Sequence, residues 1–336
     1  MQDDLLSLAY DISRTTEGKI HLIDSVMGQA RFLAINTRIE AARAGQAGVA
    51  FGILADEMGK IAQTIVEINA ELRETLDKGT EKLREVGNTL VRNYKGERLA
   101  DLALNAIEIM DRNLYERSCD VRWWATDSAM VAALHDRSEA ALRHASHRLH
   151  IILKSYTVYL DLFVLDRSGL VLASGRQQKY PFLAGADFSK LPWFRSALRT
   201  ASGDDYAVSD VDEISELDHS QAAIYATAIR EGGATDGKVL GVLGIAFDWA
   251  TQAQAILDGL RISKVERKKC RIMILDSQHR ILAASDGKGV LTETFGLKAE
   301  GARGFYEKDG KLIAYALTPG YETYKGLGWY GVIESA

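Results

Sequence analysis

Proline is scarce in this chain, three in 336 residues, and cysteine occurs only at Cys119 and Cys270, in no CxxC pair. So little proline argues against long disordered linkers. Two isolated cysteines exclude a disulfide framework and a cysteine-rich zinc site, and fit a reducing compartment. Long hydrophobic runs are missing too: nowhere do ~18 apolar residues follow one another. The opening MQDDLLSLAYDISR is acidic, without the basic region and apolar core of a signal peptide. No membrane insertion and a cytoplasmic location are therefore expected. Nor is there an excess of basic charge. With 41 Lys and Arg against 46 Asp and Glu, the net charge is −5, which argues against a general nucleic-acid binder.

The common catalytic signatures are absent as well: no GxGxxG leading a helix, no GxxxxGK[ST], no GxSxG, no HExxH. Neither an enzyme nor a cofactor is expected. His144, His147 and His150 have helical spacing, but no carboxylate or cysteine joins them on one face, so solvated histidines are expected rather than a metal site. What remains is an ordinary globular composition, 47% hydrophobic and 26% charged, long enough for two or three domains.

The most organised stretch is Gln29 to Glu57, QARFLAINTRIEAARAGQAGVAFGILADE. Ile20, Ile23, Met27, Ala30, Ala34, Thr37 and Ala41 recur at steps of three and four. So do Phe51, Leu54, Met58, Ile61, Ile65, Ile68 and Leu72 beyond it. Each series reads as the a/d seam of a helix. Between them AGQAG, Ala44 to Gly48, supplies two glycines for a reversal. An antiparallel helical coiled-coil hairpin is expected, with alanines near the bend letting the axes approach.

These residues resemble the cytoplasmic signalling tip of methyl-accepting chemotaxis receptors over about residues 20–72. The likeness runs through Gln29, Asn36, Ile39 to Gly45 (IEAARAG), Gly48, Phe51 and Ala55 to Glu57. The resemblance implies a homodimer forming a four-helix bundle. It also implies contact with the chemotaxis histidine kinase and its coupling protein through Asn36, Glu40, Arg43, Phe51 and Glu57. The chain departs from the family at Gly28, Arg31, Arg38, Gln46 and Val49-Ala50, and no adjacent Glu/Gln pair stands in residues 1–90 to serve as a methylation site. A charged Arg38 at a packed alanine position is expected either to bury its charge or to open the interface.

Gly79, Gly87 and Asn93 to Gly96 suggest a joint. Glu97 to about Ala133 then reads as a long helix and Ser138 to Ser155 as another. From Leu160 the period changes to strands, and a repeat emerges. LFVLDRSGLVLAS (Leu162 to Ser174) returns as IMILDSQHRILAA (Ile272 to Ala284), each an apolar strand, an Asp-led turn and an apolar strand. Two lobes of one architecture are expected. The first has a helix at Pro192 to Thr200 and strands at Tyr206 to Val211, Gln221 to Ile229 and Lys238 to Phe247. The second has strands near Gly304 to Glu307, Lys311 to Leu317 and Trp329 to Glu334.

A long helix followed by two such lobes resembles the double Cache sensor module, a PAS-like fold, over about residues 97–336. The signals are Leu191 to Phe194, Tyr206 to Val211 and Gly237 to Asp248. The resemblance implies a small-molecule pocket in the first lobe, under a cover from Tyr180 to Phe194, with Trp193, Phe194, Tyr206, Ser209, Asp210 and Tyr225 as candidate contacts. The subclass that grips α-amino acids has an arginine where this chain has Leu191 and an aspartate where it has Ala246. That ligand class is disfavoured, with Asp248 the alternative should the register differ.

The fold expected is thus α+β and multidomain: a signalling hairpin (1–92), long helices with the ligand-binding lobe (93–262) and a second lobe (263–336). Two functions stay open. One is a chemoreceptor-like transducer of a small-molecule signal. The other is a dimeric scaffold or adaptor with a degenerate tip and no ligand response.

Overall fold

The computed structural model describes residues 2–336, with side chains from Tyr10 onward. It divides into two compact units, Met1–Lys95 and Gly96–Ala336.

The first unit is a helical hairpin. Helix α1 (Gln2–Arg43) and the first part of α2 (Val49–Trp124) are joined by Ala44 and a 3-10 turn at Gly45–Gly48. The reversal uses the two glycines that the sequence offers. Gly45 has φ +57°, and a Cβ on Gly48 would lie 2.1 Å from the Ala41 carbonyl oxygen. On α1 the inward residues are Ile20, Met27, Ala30, Ala34, Thr37 and Ala41, as the periodicity predicts, with Asp24 in place of Ile23.

On α2 the seam differs from the sequence-based expectation. The buried positions facing α1 are Ala55, Ala62 and Asn69, with Gly52 and Gly59 half-buried beside them. The larger residues Phe51, Leu54 and Ile61 are 61%, 65% and 56% exposed. Helices approaching over glycine and alanine leave no room for large side chains between them. Of the expected series, Phe51, Leu54, Ile61 and Ile68 therefore mark a second, outward stripe, while Met58 and Ile65 stay half-buried at the flank of the seam. A polar clamp spans the two arms. Asp24 accepts from Asn69 Nδ2 at 2.7 Å and from Arg73 Nη2 at 2.5 Å, and Asn69 is buried. Such a buried polar contact fixes the register of the pair. Arg38 neither buries its charge nor opens this seam. It stays in solvent and meets Asp56 at 3.3 Å.

The second unit begins with the rest of α2. Where one helix to Ala133 was expected, the chain breaks after Trp124 and starts again as α3 (Ser128–Asp136), because the Asp127 carboxylate caps it by accepting from Ala129 N. Ser138 caps α4 (Glu139–Ser155) in the same way.

The first sheet comprises β1 (Tyr159–Asp166), β2 (Val171–Ser174), β3 (Ala207–Val208), β4 (Asp212–Ile214), β5 (Ser220–Arg230) and β6 (Val239–Asp248), with α5 (Pro192–Leu198) inserted before β3. Its order is β2-β1-β6-β5-β3, with β4 also on β5. Helices α6 (Trp249–Gly259) and α7 (Lys264–Arg267), which the strand patterns did not announce, lead to the second sheet. That sheet holds β7 (Cys270–Leu275), β8 (Ile281–Ala284), β9 (Arg303–Lys308), β10 (Lys311–Leu317) and β11 (Tyr330–Ser335), in the order β8-β7-β11-β10-β9. All pairings in both sheets are antiparallel.

The repeat seen in the sequence returns in the backbone hydrogen bonds to its two aspartates. Asp166 Oδ1 accepts from Ser168 N and Leu170 N, and Asp276 Oδ1 accepts from Gln278 N and Arg280 N. Both hairpins also carry a bulge on the strand before the aspartate, at Val164/Leu165 and Ile274/Leu275. The fold class is therefore the one expected, a hairpin followed by two Cache-type α/β lobes.

One core joins the lobes of this unit. Leu99, Ala103, Ile107, Met110, Leu114 and Val121 on α2 pack against the inner faces of both sheets. Contact is closest at Gly331, where a Cβ would come within 2.3 Å of the Ala103 carbonyl oxygen. Behind the first sheet, α5 and its preceding loop close a second cluster built on Phe163, Phe188, Trp193 and Phe194. Near the start of β1 Asp161 is fully buried and accepts from Leu162 N, Gly175 N and Arg176 N. Burial pushes its carboxyl up to about 7, against the downward pull of those N–H groups and the Arg176 charge.

Candidate functional site

Strand alternation decides which residues can reach a ligand. On β5, Ile224 faces α5 and the cover loop, and Tyr225 faces α2. On the Ile224 side lies a cavity of about 430 Å³. Its walls are the cover (Leu183, Asp187 to Trp193), Phe163 and Ile224 of the sheet, and the Ser209 to Leu217 connector.

The cover is positioned by local rules. The Asp187 carboxylate accepts from Ser189 N, and Pro192 starts α5, where a missing N–H costs nothing. Trp193 is thereby delivered into an aromatic base. Its ring lies 5.7 Å from Phe188 and 6.2 Å from Phe163, with Phe163 and Phe188 5.8 Å apart, all edge-on.

The opposite wall is held by the second lobe. Ser209 is tied to the sheet, its N–H donating to Ile224 O and its Oγ accepting from Ile224 N, both at 2.9 Å. The next two residues bond across the lobes. Asp210 Oδ1 accepts from Trp329 Nε1 at 3.2 Å, and Val211 O accepts from Arg280 Nη2 at 2.9 Å. Arg280 is held in turn by Asp276, Nε to Oδ2 at 3.0 Å, and lines the cavity itself.

Of the sequence candidates, Trp193, Ser209 and Asp210 therefore line the cavity. Phe194 lies in the core beside it, its ring 6.2 Å from Trp193. Tyr206 and Tyr225 stack on each other at 6.0 Å on the opposite face of the sheet, with the Arg122 guanidinium over Tyr206. The structure does not bring these three to the cavity, since Tyr225 shares the α2-facing parity of its strand.

Sequence reasoning missed Asp187, Lys190, Asp212, Glu213, Glu216 and Arg280, all on the cavity wall. A signal for Arg280 existed. It occupies the turn position where the first repeat has Leu170, a departure inside an otherwise matched pattern.

Leu191, where the resemblance would put the amino-acid-gripping arginine, lines the cavity. Ala246 is buried in the cluster on the cavity side. Asp248 is not its substitute, because its carboxylate accepts from Thr251 N and caps α6.

The tip candidates are all exposed. Asn36, Glu40 and Arg43 follow one another along α1, with Arg43 Nη1 2.7 Å from Glu40. On α2, Phe51 stands free and Glu57 meets Lys60 at 3.1 Å. His144, His147 and His150 are exposed, and among the described residues no three His, Cys, Asp or Glu side chains cluster as a metal site. Among the described residues no helix is long and apolar enough to cross a membrane.

Residues 7–114 match the family profile of the methyl-accepting chemotaxis protein (MCP) signalling domain. Methyl-accepting chemotaxis protein I of Escherichia coli is 30% identical over 112 residues, covering 32% of this chain and 20% of that protein. Methyl-accepting chemotaxis protein McpQ of Pseudomonas putida is 38% identical over 87 residues, 24% of this chain and 14% of that protein. The matches thus span a fifth or less of these curated relatives.

By fold, the chain is similar to the ligand-binding domain of the Pseudomonas aeruginosa amino acid chemoreceptor PctC in complex with GABA. The TM-score is 0.54 at 17% identity, covering 72% of this chain and all of that one. It is also similar to the sensor domain of the Vibrio cholerae histidine kinase DctB, with a TM-score of 0.53 at 14% identity, covering 74% and 97%. The chain therefore joins an MCP-type signalling segment to the fold of a chemoreceptor and kinase sensor domain.

Proposed function

We propose that this chain is a chemoreceptor-type signal transducer in which a small molecule bound in the first-lobe cavity changes the state of the helical hairpin. One observation carries the reading. An MCP-type signalling segment stands in the same chain as a walled, aromatic cavity of about 430 Å³, a size suited to a small molecule. Trp193, Ser209 and Asp210 contact the ligand directly. Phe194, Tyr206 and Tyr225 act behind them by holding α5 and α2 against the sheet.

Helix α2 is the covalent connection between residues 96–124, packed on both sheets, and the hairpin. Transduction needs only that the ligand prefer one of two arrangements of that helix, and a coupling of about 1–3 kcal/mol is typical. Output is by contact and not by catalysis. A second copy covers the outward stripe of Phe51, Leu54, Ile61 and Ile68 to make a cytoplasmic homodimer. Asn36, Glu40, Arg43, Phe51 and Glu57 then meet the chemotaxis histidine kinase and coupling protein. In functional terms the signalling part is 1–92, the ligand-binding part 93–262 and the second lobe 263–336.

The competing reading, a dimeric scaffold with a degenerate tip, draws on Gly28, Arg31, Arg38 and Gln46. Pull-down of the kinase or coupling protein by the full chain separates the two. The transducer binds, and Arg43→Ala and Glu57→Ala weaken it. A chain that binds neither partner has no chemotaxis output.

A further inference from the structure

The charge of the cavity wall is lopsided. Five carboxylates line it, Asp187, Asp210, Asp212, Glu213 and Glu216, against two cations, Lys190 and Arg280. Arg280 is already engaged by Asp276 and by the Val211 carbonyl. Lys190 is exposed, on the same turn as Asp187. The positions that would grip an α-amino acid are Leu191, in the wall, and Ala246, buried behind it. Lys190 thus stands against five carboxylates, and neither of the amino-acid-gripping positions supplies a cation.

The deep end is aromatic. Trp193, Phe163 and Phe188 form a mutually edge-on trio whose apolar surface excludes water, while the acidic groups belong to the 209–217 connector and the cover. An aromatic base beneath a carboxylate wall favours one chemistry. Ring faces attract a cation, and carboxylates beside a low-dielectric wall strengthen that attraction. An anion entering the same space would meet repulsion from most of its surroundings.

We infer that the ligand of this cavity is a small organic cation carrying no carboxylate, an alkyl- or arylammonium, with its charge at the Asp210, Asp212 and Glu213 side and its apolar body on Trp193. The inference rests on the reading of this cavity as the ligand site, and it adds the chemical class. Asp210 commits Oδ1 to Trp329, so an ammonium at its other oxygen would also touch the contact that ties the cavity to the second lobe.

The test is isothermal titration calorimetry of the full chain with probes in three matched charge arms. The ammonium arm holds 2-phenylethylamine, tyramine, choline and 1,4-diaminobutane. The other arms are the corresponding neutral alcohols and carboxylates. At least one ammonium is expected to bind ten-fold or more tightly than its neutral counterpart, and to weaken as salt rises. Asp210→Asn, and separately the exposed pair Asp212→Asn with Glu213→Gln, should each weaken it at least five-fold. The β4 pair lines the cavity but is exposed and outside the core, so its replacement leaves the fold intact should Asp210→Asn disturb it. Tighter binding by a carboxylate or an alcohol, lost in Trp193→Leu, overturns the cationic class and leaves the cavity as a ligand site. Silence of all three arms overturns both.

Discussion

Asp210 and Trp329, 119 residues apart in sequence, share a hydrogen bond of 3.2 Å from the indole Nε1 to the carboxylate. The first residue lines the candidate ligand cavity, and the second is buried just before the last strand of the other lobe. Trp329 packs edge-on against Trp249 at 5.1 Å, and two residues later Gly331 meets the backbone of α2 at Ala103. The cavity wall, the second lobe and the long helix are thus consecutive in contact. A double-mutant cycle of Asp210→Asn and Trp329→Phe, read by thermal unfolding, should give a coupling energy of about 1 kcal/mol. Strict additivity would show that the two side chains do not communicate.

Gly48 is the position in the hairpin with no space for a side chain. A methyl there would lie 2.1 Å from the Ala41 carbonyl oxygen, a backbone atom that cannot swing aside. Gly48→Ala should destabilise the hairpin by about 2–3 kcal/mol. Gly45→Ala, which only imposes a side chain at φ +57°, should cost about 1 kcal/mol. Circular-dichroism melts of the two variants give the ranking, and equal melting temperatures would refute the close approach.

The outward stripe of α2 predicts an oligomer. Ile61 and Ile68 are more than half exposed on a single copy, and an apolar row of that length in solvent marks an interaction surface. Light scattering on a sizing column should report twice the chain mass of 37.0 kDa for the native protein. Ile61→Glu with Ile68→Glu should bring it to one chain mass while the second unit stays folded. A native protein that already runs as one chain would rule out the dimer.

Stability should depend on pH in a definite direction. Asp161 is harder to ionise in the folded chain than in the unfolded one because of its burial, with its carboxyl at about 7. Burial moves Asp111 and Asp120 the same way. A carboxyl of that kind contributes fully below its unfolded pKa, about 3.9, and loses the contribution as pH rises through the folded value. The second unit should therefore lose melting temperature from pH 4 to above 7, and Asp161→Asn should flatten that slope. Glu266 works oppositely. Hydrogen bonding from Arg98 holds it down to about 2, so its part is lost only in strong acid. A melting temperature that climbs steadily from pH 4 to 8 would contradict the assignment to Asp161.

Much of this was legible in the sequence because it was written as periodicity or repetition. The AGQAG reversal, the α1 seam and the two Asp-turn hairpins were each readable from a few residues, and the Asp166 and Asp276 turns share the same two backbone N–H bonds to the carboxylate. The seam of α2 was misread by one position for a physical reason. Hydrophobic periodicity reports the most apolar stripe, and here Phe51, Leu54, Ile61 and Ile68 of that stripe are exposed, with Met58 and Ile65 half-buried, while Gly52, Ala55 and Ala62 make the close contact. The cavity was half legible. Trp193 and Asp210 lie in a recognisable loop and helix, but Arg280 arrives from the other lobe, and no local pattern states which lobe's turn will reach which wall. Tyr206 and Tyr225 were misplaced by strand parity, which a single residue of register decides.

Occupancy of the first-lobe cavity should be felt in the hairpin. Hydrogen–deuterium exchange of the full chain, with and without the tightest probe from the calorimetric panel, measures both ends at once. Slower exchange is expected in residues 183–193 and 209–217, together with a changed rate in residues 29–57. Protection at the cavity with an unaltered hairpin, or no protection at the cavity at all, would contradict it.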